Sequence, residues 1–256
     1  MDYERPIPLA GDVLKQRIFS PLAYPSVRNS NVIEIAAQEA PRYAAHFPIC
    51  WRKLTDRYQL VILRSLMADG RGHPAGSQKA LAFLPILCRS YPFLYAPSGM
   101  ADGSIPKFID NVIADEPSDI GSPICFSDGR PTKATAQRIA MLDNAATLFS
   151  QATAIARDLA AADLFEAWPL HFDGIEGHTL DVSDLWIVKQ DVISTGALSP
   201  LMRTHGLVAA DLIGLHRVSL FRTGILLANA RTTLKGQQNK PDATDQPEAA
   251  AIEATP

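Results

Sequence analysis

The sequence predicts a mixed α+β fold in which short antiparallel strands pack against one long amphipathic helix and a C-terminal helical region. Three observations lead there. Apolar runs of strand length are punctuated by Asp-Gly and similar turn residues, which readily supply the backbone angles of tight turns. One long segment carries apolar residues three or four positions apart, the spacing of a helix face. A second helical segment then closes the apolar part of the chain, before a polar terminus poor in large aliphatic residues.

The chain has 256 residues, 47% of them hydrophobic and 20% charged, enough apolar material for one large core. A net charge of -3 gives no general attraction to phosphate backbones or anionic lipid, so nucleic acid is not an expected partner. The most apolar stretch, residues 206–230, is interrupted by Asp211, His216, Arg217 and Arg222. Charges at mid-bilayer each cost about 2.5 to 3.5 kcal/mol on insertion, so no transmembrane segment is expected. The first residues lack the apolar core of a secretory leader, and the expected location on that ground is cytoplasmic. Cys50, Cys88 and Cys125 each sit among apolar neighbours and read as buried, reduced thiols.

Residues 1–31 are broken by Pro6, Pro8, Gly11, Pro21 and Pro25, and are expected as an extended N-terminal arm. The domain is expected over 32–235. Its first element, from Val32 towards Ala45, reads as a short helix ending near Glu39, because Pro41 cannot continue one. Phe47 to Trp51 and Gln59 to Leu63 form a hairpin pair across a polar connection. A glycine-rich loop follows, and then an apolar core element over 79–90 that Pro85 limits to two short pieces.

Between Tyr91 and Phe126, turns at Asp102-Gly103 and Asp128-Gly129 favour antiparallel strands. Pro48 to Trp51 and Pro123 to Phe126 share a Pro-Ile-Cys-aromatic pattern and read as two buried strand starts. The long helix is expected from Lys133 to Phe165, capped by Thr132. Ile139, Leu142, Ala146, Phe149, Ala152, Ala156 and Leu159 form its apolar face, with Gln137, Arg138, Gln151 and Arg157 opposite. Residues 168–188 hold the clearest hairpin, its two runs flanking 173–177. Helix returns over Leu201 to Leu234, broken near Gly206, and residues 236–256 read as a disordered polar tail.

Candidate chemistry is sparse. His171, His178 and Asp181, with Asp184 nearby, could bring two imidazoles and a carboxylate together across a hairpin, as a metal would require. The plainer reading is a solvated hairpin, and no metal or other cofactor is expected. Gly70 to Gly76 lacks the Gly-Lys-Ser/Thr ending of a phosphate-binding loop. Ser194 and Ser199 bracket Gly196 near His205, but no Gly-x-Ser-x-Gly elbow occurs. His205 and His216, in apolar helical surroundings, suit hydrogen-bonded packing better than acid-base chemistry. Tyr91-Pro92-Phe93 and Trp168-Pro169-Leu170 place aromatics at strand starts. There Tyr91, Phe93, Trp168 and Leu170 could line a groove for a peptide or another apolar ligand, or instead close the core.

Taken in order, several of these segments resemble a known family. Phe47-Pro48-Ile49, Arg89-Ser90-Tyr91-Pro92-Phe93, the FSDGRPT run at 126–132, the long helix, Leu164-Phe165-Glu166-Ala167-Trp168-Pro169-Leu170 and Gly196-Ala197-Leu198 are similar to the bacterial SapC-like proteins. The resemblance spans about residues 32–230 and departs from the family pattern near 65–80. It implies a surface-layer (S-layer) or secretion-associated role, and an accessory binding function near outer-membrane receptors and oxidative tailoring enzymes. No catalytic motif carries over with it. The resulting expectation is a non-catalytic accessory protein with a protein or peptide partner and a possible surface association. The alternatives are a cytoplasmic enzyme whose site is assembled from sequence-distant residues, and a self-assembling surface-layer component; a homo-oligomer is compatible with each reading.

Overall fold

The computed structural model describes residues 4–71, 84–95, 107–117, 120–193 and 196–238. In chain order its strands and helices are β1 (Pro6–Pro8), β2 (Arg17–Ile18), α1 (Pro25–Arg28), β3 (Val32–Glu34), α2 (Ala40–Tyr43), β4 (Ile49–Lys53), β5 (Tyr58–Leu63), α3 (Ile86–Ser90), β6 (Phe93–Tyr95), β7 (Lys107–Asp110) and β8 (Ser122–Pro123). The long helix α4 (Lys133–Ala161) follows, then β9 (Phe165–Ala167), β10 (Leu170–Ile175), β11 (His178–Val182), β12 (Leu185–Val188), α5 (Ser199–His205), α6 (Leu207–Ser219) and α7 (Thr223–Gln238). This is the mixed α+β class expected from the sequence. The turn at 102–103, the loop at 72–78 and residues 239–256 of the expected tail lie outside the described residues, while residues 236–238 complete α7.

The central sheet has the order β3-β5-β4-β12-β9, with every neighbouring pair antiparallel. The expected hairpin is β4 and β5, paired from Ile49↔Ile62 to Lys53↔Tyr58, and Leu54 N–H donates to Arg57 O at 2.7 Å to close its turn. Because side chains alternate across a strand, register assigns the faces. Ile33, Ile49, Trp51, Tyr58, Leu60, Ile62, Phe165 and Trp186 share one side. Their rings interlock there: Tyr58 stacks on Phe165 with centroids 4.5 Å apart, and Trp51 meets Phe165 at 5.1 Å. Helix α4 packs on β5, burying Ala152, Ile155, Ala156 and Leu159 in the same core.

Two expectations about helices are corrected. Val32 to Glu34 is strand: the β-branched Val-Ile pair lies against Leu63 and Ile62 of β5, and sheet burial overrides the helical pattern. A 3-10 turn at Ala37–Glu39 leads into α-helix from Ala40, with Pro41 in its first turn, where the missing N–H has no intrahelical partner to lose. The long helix stops at Ala161 and does not reach Phe165. Asp163 takes the left-handed conformation (φ 53°), Lys189 Nζ bonds its carbonyl and carboxylate at 2.6 and 2.8 Å, and Lys189 N–H draws Leu164 O to the sheet at 2.9 Å. The Thr132 cap is present, its hydroxyl oxygen accepting from Thr135 N–H. Of the two Pro-Ile-Cys-aromatic segments only the first is buried throughout; in the second, Ile124 is buried, Cys125 is half-buried and Phe126 is exposed.

The segment before Val32 is built into the body. Strand β1 pairs with β7, β2 pairs with β8, and Tyr24 and Val27 lie in the main core. Buried and half-buried polar side chains hold this segment and its neighbours through the backbone. Arg64 donates to Val27 O at 2.9 Å, and Arg138 of α4 donates to Tyr91 O at 2.8 Å and to Phe19 O. Glu39 likewise accepts from Ala36 N–H and Ile86 N–H at 3.0 and 2.9 Å, tying the turn before α2 to the start of α3.

The C-terminal helices attach through one histidine. The pairing Trp186↔Trp51 would bring Val188 opposite Ile49 two residues further on, but here the imidazole of His216, fully buried on α6, spans the gap. Its Nδ1–H donates to Ile49 O at 2.6 Å, and Nε2 accepts from Val188 N–H at 3.3 Å. Ser219 Oγ, one turn on, accepts from Ile49 N–H at 2.8 Å and donates to His216 O at 2.7 Å. Only the neutral imidazole can donate from one nitrogen and accept at the other, and burial lowers its pKa to about 4.

Above pH 6.5 the ring is neutral in folded and unfolded chains alike, and it adds no pH dependence. As pH falls from 6.5 towards 4 the unfolded chain gains the proton first, so folding stability drops by about 3 kcal/mol before levelling off. His216→Phe should lose about 2 to 4 kcal/mol at pH 7, because Ile49 O and Val188 N–H are orphaned, and should lack this acid-limb step. Urea unfolding of both proteins between pH 4 and pH 8 checks it.

Candidate functional site

The four residues expected to line a groove separate into two places. Tyr91 and Phe93 are interior: Tyr91 is fully buried, edge-on to Tyr24 at 4.9 Å, and Phe93 belongs to a second cluster with Ile18, Ile109, Ile124 and Leu142. Tyr91 OH donates to Asp110 Oδ2 at 2.8 Å and lies 3.1 Å from Ser26 Oγ. The buried Asp110 carboxylate also accepts from Arg5 N–H at 2.7 Å and Glu4 N–H at 3.2 Å, which fastens the start of β1. Burial, with the neighbouring Asp110 adding to it, raises the Tyr91 hydroxyl well above the usual phenol range, so it stays a donor. This is an anchoring network, and both rings close the core.

Trp168 and Leu170 do line a groove. Trp168 leaves β9 with its N–H donating to Leu185 O at 2.7 Å, and Pro169 turns the chain into β10. Glu166 pairs with Ile187, and alternation puts both on the sheet face opposite Phe165 and Trp186. Together with Trp168 and Leu170 they make the floor. The wall is the junction of α6 and α7, where Val218, Leu220 and Phe221 line the groove. Arg217 fixes that wall by donating to Val188 O at 3.3 Å. Phe221 is 87% exposed and Val218 63% exposed, so the groove opens onto an apolar ridge. Glu166 and Arg217 bring charge into its lining.

The expected hairpin is β10 and β11, but its tight turn is Glu176-Gly177, both with positive φ, while Asp173 and Gly174 form an irregularity in β10. His171 pairs with Asp181 across the strands, at 3.3 Å, and with Asp173 at 3.1 Å. The hydrogen bond that the imidazole donates to the Asp181 carboxylate, then the charge of Asp173, raise the His171 pKa. His178 stands three positions from Asp181 on the same strand, an odd separation that turns it to the other face. Asp184 uses its carbonyl to accept from Lys53 N–H at 3.2 Å. Among the described residues no group of three or more His, Cys, Asp or Glu side chains is arranged to hold a metal.

His205 of α5 bonds Asp158 of α4 at 2.8 Å, a contact between helices, and Ser194 lies outside the described residues. Cys50 and Cys88 are buried thiols, with Cys88 pushed up to about 11 by burial. Phe221, Val218 and Ile187 were missed from the sequence. Their signal was there: Val218, Phe221 and Ile225 repeat at three and four positions on a helix whose buried face is already supplied by Leu212, Ile213 and His216. A helix apolar on two faces has one left over.

The Tyr91 network has a direct test. Tyr91→Phe removes a donor from a buried carboxylate and should destabilise the chain by about 1 to 3 kcal/mol, loosening the segment from Glu4 through β1. Urea unfolding, with hydrogen exchange at Ile7, measures both effects.

A family model described as SapC matches residues 16–220. The match starts within the segment expected as an arm and ends on Leu220 in the groove wall. No curated protein and no solved structure matches the chain.

Proposed function

The chain belongs to the SapC family, and we propose that it is a non-catalytic accessory protein that docks a protein partner in surface-layer or outer-membrane-linked bacterial physiology. The observation that carries this reading is the groove floored by Trp168, Leu170 and Ile187 and walled by the exposed ring of Phe221. Solvated large apolar side chains gathered beside a groove, with charged side chains among them, have the composition of a protein-docking surface, where apolar and aromatic contacts are mixed with polar ones. Aromatic side chains dominate the energetics of such sites. The setting at the cell surface is drawn from the family resemblance.

Envelope extracts of the native host, passed over the immobilised full chain, test the docking role. The wild-type chain should retain a specific envelope protein, and Trp168→Glu should retain it at least tenfold less at an unchanged circular dichroism spectrum. Equal retention by both chains overturns the groove as the docking site. Fractionation of the native host should place the chain with the envelope.

A further inference from the structure

We propose that the partner docks as an extended strand, added antiparallel to β9 at the outer edge of the central sheet; this rests on the docking role proposed above. The recognised segment reads aromatic or large aliphatic, then any residue, then Lys or Arg.

The edge follows from the ladder. Along an antiparallel pair, residues alternate between exchanging both backbone bonds with the neighbouring strand and turning both groups away from it. Lys189 N–H donates to Leu164 O at 2.9 Å and Trp168 N–H to Leu185 O at 2.7 Å, so the bonded positions are Leu164, Trp168 and, midway between them, Glu166 opposite Ile187. Phe165 and Ala167 therefore aim their N–H and C=O outward. Phe165 is buried, but Ala167 is exposed, and its backbone groups have no hydrogen bond among the described residues. Two residues on, Pro169 has no N–H to offer, which suits a chain whose outer side is unpaired. The other end of the sheet is closed: Val32 of β3 is buried, and Ala36 N–H is taken by Glu39.

An N–H and a C=O side by side on a strand edge are matched by one residue of an antiparallel strand, which returns both bonds. A helical segment has spent these groups internally and cannot return them. Side chains then follow by alternation. The neighbours of the residue opposite Ala167 face Glu166 and Trp168, on the groove side of the sheet, as cross-strand pairs about 5 Å apart. Glu166 is half-buried in the groove lining and makes no ion pair among the described residues, while Arg217 donates to Val188 O. A cation opposite Glu166 supplies the complementary charge. Opposite Trp168, an apolar or aromatic side chain lies between the indole and the exposed wall at Phe221. The antiparallel direction puts this apolar residue first in sequence and the cation two places later.

A random linear heptapeptide library, displayed on phage and selected on the immobilised full chain, tests this, followed by titration of the synthetic consensus peptide. Selected peptides should carry the apolar-x-basic order. Methylating the backbone nitrogen of the middle residue should weaken binding by about tenfold or more, and methylating that of either neighbour by no more than about threefold, because only the middle N–H faces β9. Ala167→Pro should weaken binding by about tenfold or more at an unchanged circular dichroism spectrum, since the β9–β12 ladder does not use this N–H. On Glu166→Lys the selected cation should give way to Asp or Glu. Absence of any enriched sequence, or equal losses from methylation at all three positions, overturns the strand addition, as does an Ala167→Pro chain that binds like wild type. If that variant retains the envelope protein while Trp168→Glu does not, the added strand is overturned and the groove stands. Equal retention by Trp168→Glu and wild type overturns both.

Discussion

A neutral imidazole wedged between two strands governs how this molecule is assembled. His216 stands where β4 and β12 would otherwise continue their ladder, satisfying Ile49 O on one side and Val188 N–H on the other. Each of these backbone groups is buried, and leaving one unpaired costs about 1 to 3 kcal/mol. The ring can serve both only in one tautomer and one orientation, with its centre 4.8 Å from that of the Trp51 ring and the two planes at 65°. The rotation of α6 about its own axis is thereby fixed against the sheet. Ser219 repeats the constraint one turn later through Ile49 N–H. Substituting apolar packing for these bonds would leave the helix freer to slide or rotate, because dispersion contacts have no comparable direction.

The opposite end of the chain uses the same device with different groups. Backbone carbonyls at Phe19, Val27 and Tyr91 are taken up by Arg138 and Arg64, and backbone N–H groups at Glu4 and Arg5 by Asp110. Buried charges are tolerated when their hydrogen bonds are met. Here each charged side chain satisfies segments too irregular to satisfy themselves in a long ladder. Strands β1 and β2 have three and two residues, which alone would hold little. The prolines that break up this region therefore do not detach it from the core. They prevent long secondary structure, and long-range side-chain bonds take over.

That contrast explains what could be read in the sequence. The hairpin of β4 and β5, the hairpin of β10 and β11, and the body of α4 are local: alternation, turn residues and helical spacing are all visible within a few tens of residues. Val32 to Glu34 failed because its fate depends on Leu63 and Ile62, some thirty residues away. The two aromatic-proline motifs part company for a related reason. Tyr91 meets Asp110 and Trp168 meets no equivalent buried carboxylate among the described residues, so one ring is drawn inside and the other stays in the floor of a groove. Local sequence is nearly the same in both; the partner decides. His171, His178 and Asp181 looked like ligands only until the parity of β11 separated the last two.

The exposure of Phe221 has the same origin as the burial of His216. Five residues at about 100° each carry the helix about 140° beyond its starting direction, so a side chain five positions after a buried one points away from the core. Fixing His216 between the strands therefore fixes Phe221 outward. No small rotation could hide the phenyl ring without withdrawing the imidazole, and withdrawing it would strand two backbone groups. The turn at Leu220–Arg222 tightens the helix locally, yet Leu226 and Ala230 return to the core beyond it, so the outward face persists through Ile225. A polar side chain at 221 would fold equally well, since the phenyl ring is 87% exposed. The phenyl ring thus adds little to the fold of a single chain, and its placement makes sense through contact with another molecule. The strand-bridging imidazole and the docking ridge are two faces of one helix, and the first determines where the second must lie.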